Sequence, residues 1–145
     1  MSDVAGVIVL VGRILIGIFP AYISGFGFHI RNPGMAEGYA KAFGFPVPAV
    51  TGVPAGLWLV ASSLSIALGI WPDVGALMLG AFTIPAALYF HRYWALDDAE
   101  QRQAQQQLFF RNLILLAACL IMFGFFTSVG EGLRFAITAP LIDLS

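Results

Sequence analysis

Four residues of this chain combine a polar or ionisable side chain with a setting that is almost wholly apolar: Arg13, His91, Arg111 and Asn112. Arg13 lies nine residues past Val4, which at ~1.5 Å per residue puts it ~13 Å along an apolar helix. An arginine at such depth costs at least ~2.5 kcal/mol and faces the interior of a bundle. It is read either as a cation for an anionic or quinone-like group, or as a donor to backbone carbonyls. Pro20 and Pro85 would free two such carbonyls, at Ile16 and Ala81, because proline has no N–H to give the residue four positions back. His91 falls eighteen residues past Asp73, ~27 Å along its helix, at the far membrane interface. Antiparallel helix order brings His29, Arg31, His91, Arg92, Tyr93, Arg111 and Asn112 to that same face. A cluster of His91, Arg111 and Asn112 there has two readings. It is a quinone headgroup site in which His91 exchanges protons near neutral pH, or a hydrogen-bonded lock between the third and fourth helices.

Other chemistries are poorly supported. His29 and His91 share a face, but both sit near the interface and four short helices leave little room for a haem, so haem is disfavoured and no covalently bound cofactor is expected. No carboxylate lies inside an apolar run to complete a metal site. Ser62, Ser63, Ser65 and Ser128 lack a nucleophile elbow and partners at triad spacing. No Gly-rich phosphate loop follows a strand. Cys119 is the single cysteine, which rules out an intramolecular disulfide or a CxxC pair.

The elements that must position these residues are membrane spans. Hydrophobic residues make up 59% of the 145 and charged residues 10%, against roughly 25% charged in a soluble domain. Mean hydropathy is +0.87. Four runs, about 4–28, 49–71, 74–94 and 108–129, approach or exceed the ~20 apolar residues that cross ~30 Å of hydrocarbon. The expected fold is therefore all-α: one integral membrane domain over 1–145, a four-helix bundle of antiparallel spans. The first run follows Met1-Ser2-Asp3 without a positive n-region and is expected to remain as a helix. No lipidation motif is present.

Between the spans the sequence is punctuated. Met35–Phe43 reads as a short amphipathic piece between two proline breaks. Trp71-Pro72-Asp73 reads as a tight turn in which Asp73 caps the third helix. Trp71, Tyr93 and Trp94 are placed in interfacial aromatic belts. Asp97 or Asp98 is expected to cap a water-exposed start of the fourth helix. The tail, 130–145, is expected to lie in the interface with a helix around Glu131–Ala139. Small residues, such as Gly12 with Gly17, Gly52 with Gly56 and Ala76 with Gly80, are expected where helices pack. Arg31, Lys41, Arg92, Arg102 and Arg111 fall on one side against Arg13 and Arg134 on the other. The positive-inside rule then puts both longer loops in the cytoplasm.

Several segments in this order resemble the DoxX family of four-helix membrane proteins: Gly12-Arg13-Ile14-Leu15-Ile16-Gly17, Gly44-Phe45-Pro46-Val47-Pro48, Leu64–Ile70, Phe90-His91-Arg92-Tyr93-Trp94 and Arg111-Asn112-Leu113. The resemblance implies a membrane bundle found as the membrane subunit of a thiosulfate:quinone oxidoreductase, as an accessory subunit of redox-protective complexes, or as an assembly factor. Relatives often carry an acidic residue near the positions of Trp58 and Leu59. This chain has no ionisable group there, so the resemblance brings no proton relay through that acid.

Two functions stand side by side. One is an accessory or anchor subunit of a larger, redox-linked membrane assembly. The other is a quinone-interacting subunit of an oxidoreductase, with Arg13, His91, Arg111 and Asn112 lining the site. A small-molecule carrier acting as an oligomer ranks third. The expected partners are membrane lipid and other membrane subunits or further copies of the chain. A net charge of −1 excludes nucleic acid. The expected location is a bacterial inner membrane.

Overall fold

The computed structural model describes residues 1–142 and 144, so positions 143 and 145 of the expected tail lie outside the described residues. Helix α1 spans Asp3–Phe19 and opens on Ser2, whose hydroxyl accepts from the Ala5 N–H at 3.3 Å. At Pro20 the missing N–H breaks the α-helical ladder, and the helix runs on as a π-helix over Pro20–Ile30. Helix α2, Pro33–Ala42, is the amphipathic piece expected from the sequence. A 3-10 turn at Pro48–Thr51 leads into α3, Val53–Leu68. Helix α4 spans Pro72–Pro85 and widens into a second π-helix, Ala86–Phe90, again just past a proline. After a 3-10 turn at Tyr93–Ala95, Asp98 caps α5, Ala99–Val129, by accepting from the Gln101 N–H at 2.8 Å.

Among the described residues, three helices are long and apolar enough to cross a membrane: Asp3–Ile30, Pro72–Ala95 and Ala99–Gly132. The expected second span, 49–71, is not among them. Proline-bounded 3-10 backbone takes its first turn, and Gly69, with φ of 66°, ends it left-handed. The remaining 16 residues of α3 make ~24 Å of helix, short of the hydrocarbon thickness. Thus the chain is an all-α membrane protein with three full-length span candidates, in which α3 is a shorter apolar helix packed between α1 and α4.

Helix α4 lies in turn against α5. Leu59, Ile66, Ala76, Leu79, Cys119 and Phe126 form the buried core between α3, α4 and α5. Close approach explains one of the expected small positions: a Cβ on Gly17 would stand 2.5 Å from the Ser63 carbonyl oxygen, so only glycine lets α1 meet α3 there. Gly12 touches nothing and faces outward.

The tail departs from expectation. A 3-10 turn at Gly130–Gly132 replaces the helix expected near 131–139. The chain then folds back over the exposed end of α3. Ile137 and Thr138 donate to the Gly69 carbonyl at 3.0 and 2.9 Å, and the Thr138 hydroxyl accepts from the Trp71 N–H at 2.8 Å. These bonds use the orphan groups that the early end of α3 leaves behind, which a lone interfacial helix would not satisfy. Asp73 is also reassigned. It is fully buried and does not cap α4. Its carboxylate accepts from the Leu141 N–H at 3.0 Å and the Ile142 N–H at 2.7 Å. The residue at the cap position, Trp71, has φ of 45° and caps nothing with its side chain.

Candidate functional site

Helices α1 and α5 stand apart, and a crevice of about 520 Å³ opens between them. Ile16, Phe19, Pro20 and Ile23 form one wall, and Ile114, Leu115 and Ala118 the other. Leu59, Leu79, Phe82 and Thr83 form its floor. The volume lies within the ~300–1,000 Å³ of ordinary small-molecule sites. Four polar side chains face this apolar space: Ser24, Thr83, Arg111 and Asn112.

These four differ in what they can offer. Thr83 is buried and its hydroxyl donates to the Gly80 carbonyl at 2.7 Å. The Asn112 amide nitrogen donates to the Leu108 carbonyl at 2.9 Å, one turn back, which leaves its amide oxygen to accept. Arg111 is exposed, and among the described residues its guanidinium has no hydrogen-bond or ion-pair partner. A full positive charge thus stands one turn inside the apolar part of α5, at the wall of a cavity.

His91 sits beside this site and not in it. Its Nδ1 pairs with Gln105 Oε1 at 2.8 Å, the tautomer in which Nδ1 carries the proton. Arg111 acts on the ring electrostatically. Burial pushes the Tyr39 hydroxyl of α2 above its usual pKa. The lock between the end of α4 and the start of α5 therefore runs through Gln105, a residue that carried no signal in the sequence beyond its place in a polar stretch.

The sequence model of the DoxX family matches residues 8–92, more than half of the chain, from within α1 to just past the π-helix that follows α4. The chain belongs to the DoxX family. Neither a curated protein nor a solved structure matches it. In this DoxX protein the matched region supplies one wall and the floor of the crevice. The α5 wall, with Arg111 and Asn112, lies outside the match.

Arg13 is placed at the opposite end of the DoxX fold from His91. It is 2% exposed and donates to the carbonyls of Phe135 at 2.6 Å, Ala67 at 3.3 Å and Arg134 at 3.5 Å. Those carbonyls belong to the last turn of α3 and to the tail, not to Ile16 or Ala81. The four residues grouped by sequence reasoning thus divide into three places: Arg111 with Asn112 on the crevice, His91 behind them with Gln105, and Arg13 under the tail.

His29 is buried and pairs with the Thr51 carbonyl, while its ring meets Phe28 and Phe82 edge-on at 5.0 and 5.8 Å. The two histidines therefore have separate partners. Among the described residues no three His, Cys, Asp or Glu side chains gather. At the unionised α3 positions, Leu59 joins the crevice floor and the Trp58 indole donates to the Met78 carbonyl at 2.7 Å. Tyr93 and Trp94 pack with Phe109 at one end of the molecule, and Trp71 stands half-exposed at the other. Ser24, Thr83 and Phe82 were missed as site residues. Ser24 follows Pro20 by one turn, and that proline-plus-serine pair on a spanning helix was the available signal.

Proposed function

We propose that this DoxX-family protein is a small membrane subunit of a redox-linked assembly and that it holds the ring of a membrane quinone in the crevice between α1 and α5. The observation that carries this reading is an unpartnered Arg111 on an otherwise apolar cavity. Arg111 donates to a ring carbonyl, and Asn112 and Ser24 supply an acceptor and a hydroxyl beside it. A quinone bound there supplies electron exchange with the membrane pool. The electrons come from a partner, because the single cysteine, Cys119, is buried in the core and makes no dithiol couple.

The accessory or anchoring role is the second reading. What favours it is that Gly12 on α1 and Gly124 on α5 both face open space, which lets a partner helix approach closely. The test is purification of the tagged protein in mild detergent, with bound proteins identified by mass spectrometry and quinone binding followed on the same sample. A stoichiometric flavin, haem or iron–sulfur partner together with Arg111-dependent quinone binding supports the first reading. A partner without quinone binding supports the second, and recovery of the chain alone removes the anchoring reading and points to a homo-oligomer acting alone.

A further inference from the structure

Phe82 belongs to two cavities at once. On one side it closes the floor of the α1–α5 crevice, between Leu79 and Thr83. On the other it walls a second hollow of about 360 Å³ on the outer side of the α3–α4 pair, with Ala55, Trp58, Ala81 and Pro85. Neighbouring residues of the same two helices face opposite ways: Leu59 and Leu79 look into the crevice, Trp58 and Ala81 into the outer hollow. The Phe82 ring lines both spaces in the α3–α4 seam, with Ala55 and Trp58 of α3 on the outer side and Leu59 on the crevice side, and the His29 ring meets it edge-on at 5.8 Å.

The chemistry of the two spaces is complementary. The crevice has Arg111 and Asn112 at hand for a polar group. The outer hollow offers none, because its two polar side chains are engaged: the Thr51 hydroxyl donates to the Pro48 carbonyl at 2.7 Å and the Trp58 indole to the Met78 carbonyl. The turn that carries Phe82 is also weakened. Pro85 provides no N–H for the Ala81 carbonyl, and the backbone beyond it is π-helical. Movement of the ring there would join the two spaces and would have to displace its edge-on contact with His29.

Resting on the reading of the crevice as a quinone site, we infer that the two cavities are one ligand site divided by Phe82. The occupant is a lipophile with a polar ring and an isoprenoid chain too long for the crevice. The ring lies against Arg111 and Asn112, and the chain passes beneath Phe82 into the outer hollow. Phe82 therefore selects by chain length. Inside a bilayer the chain gains nothing by leaving water, since lipid tails are as apolar as the hollow. Its seating depends on tethering to the bound ring and on packing. Position is for that reason the quantity to measure.

The experiment uses the full chain in phosphatidylcholine nanodiscs and two photoreactive benzoquinones, one with a long isoprenoid tail and one with a short tail, each with a diazirine at the tail end. The expected result is that the long probe labels Trp58 and its neighbours in the outer hollow, while the short probe labels the α1 and α5 walls of the crevice. Unlabelled quinone displaces both, and Arg111→Gln weakens both. Phe82→Trp, which enlarges the divider, abolishes outer labelling by the long probe. Ala81→Phe fills the hollow from its exposed face without touching the core, so it gives the same result even if the Phe82 variant does not fold. Displaceable labelling confined to the crevice overturns the chain path and leaves the quinone reading standing. Outer labelling that survives Arg111→Gln or Ala81→Phe overturns it as well, because the chain would then be entering unaided from the lipid. Failure of unlabelled quinone to displace either probe overturns the quinone reading, and the chain path with it.

Discussion

Arg13 and Asp73 hold the same strand of chain by opposite ends of its peptide chemistry. Arg13 on α1 donates to the Phe135 carbonyl at 2.6 Å, and Asp73 on α4 accepts from the Ile142 N–H at 2.7 Å. Both side chains are almost completely buried, and they are not paired with one another. Each charge is neutralised by backbone dipoles of the tail, so the tail is an integral part of the bundle end and not an appendage. Hydrogen bonds to charged groups contribute about 1.5–3 kcal/mol each.

Replacing Asp73 with Asn keeps the shape but puts an NH₂ group against amide donors. The expected outcome is a fall of about 2 kcal/mol in stability, with faster hydrogen exchange at the Leu141 and Ile142 amides and no change in ligand binding. Exchange followed by mass spectrometry checks it. Protected amides in the variant would show that the tail is held by other contacts.

Arg13→Leu leaves the Ala67 and Phe135 carbonyls without their donor, and each orphaned group costs about 1–3 kcal/mol. The expected outcome is a lower melting temperature and poor accumulation of the protein, partly restored by Arg13→Lys. A variant that accumulates normally and melts normally while losing activity would instead make Arg13 part of the functional site.

Arg111→Gln removes an exposed charge that has no partner in the fold. Stability is expected to stay within about 0.5 kcal/mol of the parent, while affinity for a quinone analogue falls. Tryptophan quenching in nanodiscs measures the second quantity and thermal unfolding the first. Loss of both together would assign Arg111 to the architecture.

His91 and Gln105 are expected to be coupled. A double-mutant cycle through His91→Ala and Gln105→Ala should return an interaction energy of about 1 kcal/mol, the ordinary net value of a hydrogen bond. Additive effects would mean that α4 and α5 are joined at this end by aromatic packing alone, through Tyr93, Trp94 and Phe109.

Features set by local rules were legible in the sequence. Asp98 caps α5 because a carboxylate beside free N–H groups needs nothing else, and the long apolar runs of α1, α4 and α5 declare themselves by composition. Features set by distant partners were not. Gly69 ends α3 by a local rule, but that Ile137 and Thr138 then cover this end depends on a segment far along the chain. The role of Asp73 depends on Leu141 and Ile142, far along the chain, and a helix-cap rule assigned it to its nearest amides. The crevice was legible only in its residues. Arg111 and Asn112 stood out as polar groups in an apolar helix, but that α1 and α5 stand apart is a property of packing, and Arg13 could not be separated from the cluster without it.

The order in which the chain is made has a bearing on the bundle end. Residues 134–142 leave the ribosome after all five helices. Until they arrive, Arg13 keeps only the Ala67 carbonyl, Asp73 lacks the amides that neutralise it, and the short α3 lacks its cover. A truncated or stalled product is therefore a membrane protein with two exposed internal charges, the kind of defect that membrane quality control removes. Closure of the tail joins groups from α1, α3 and α4, so it can form only where those three helices already stand together.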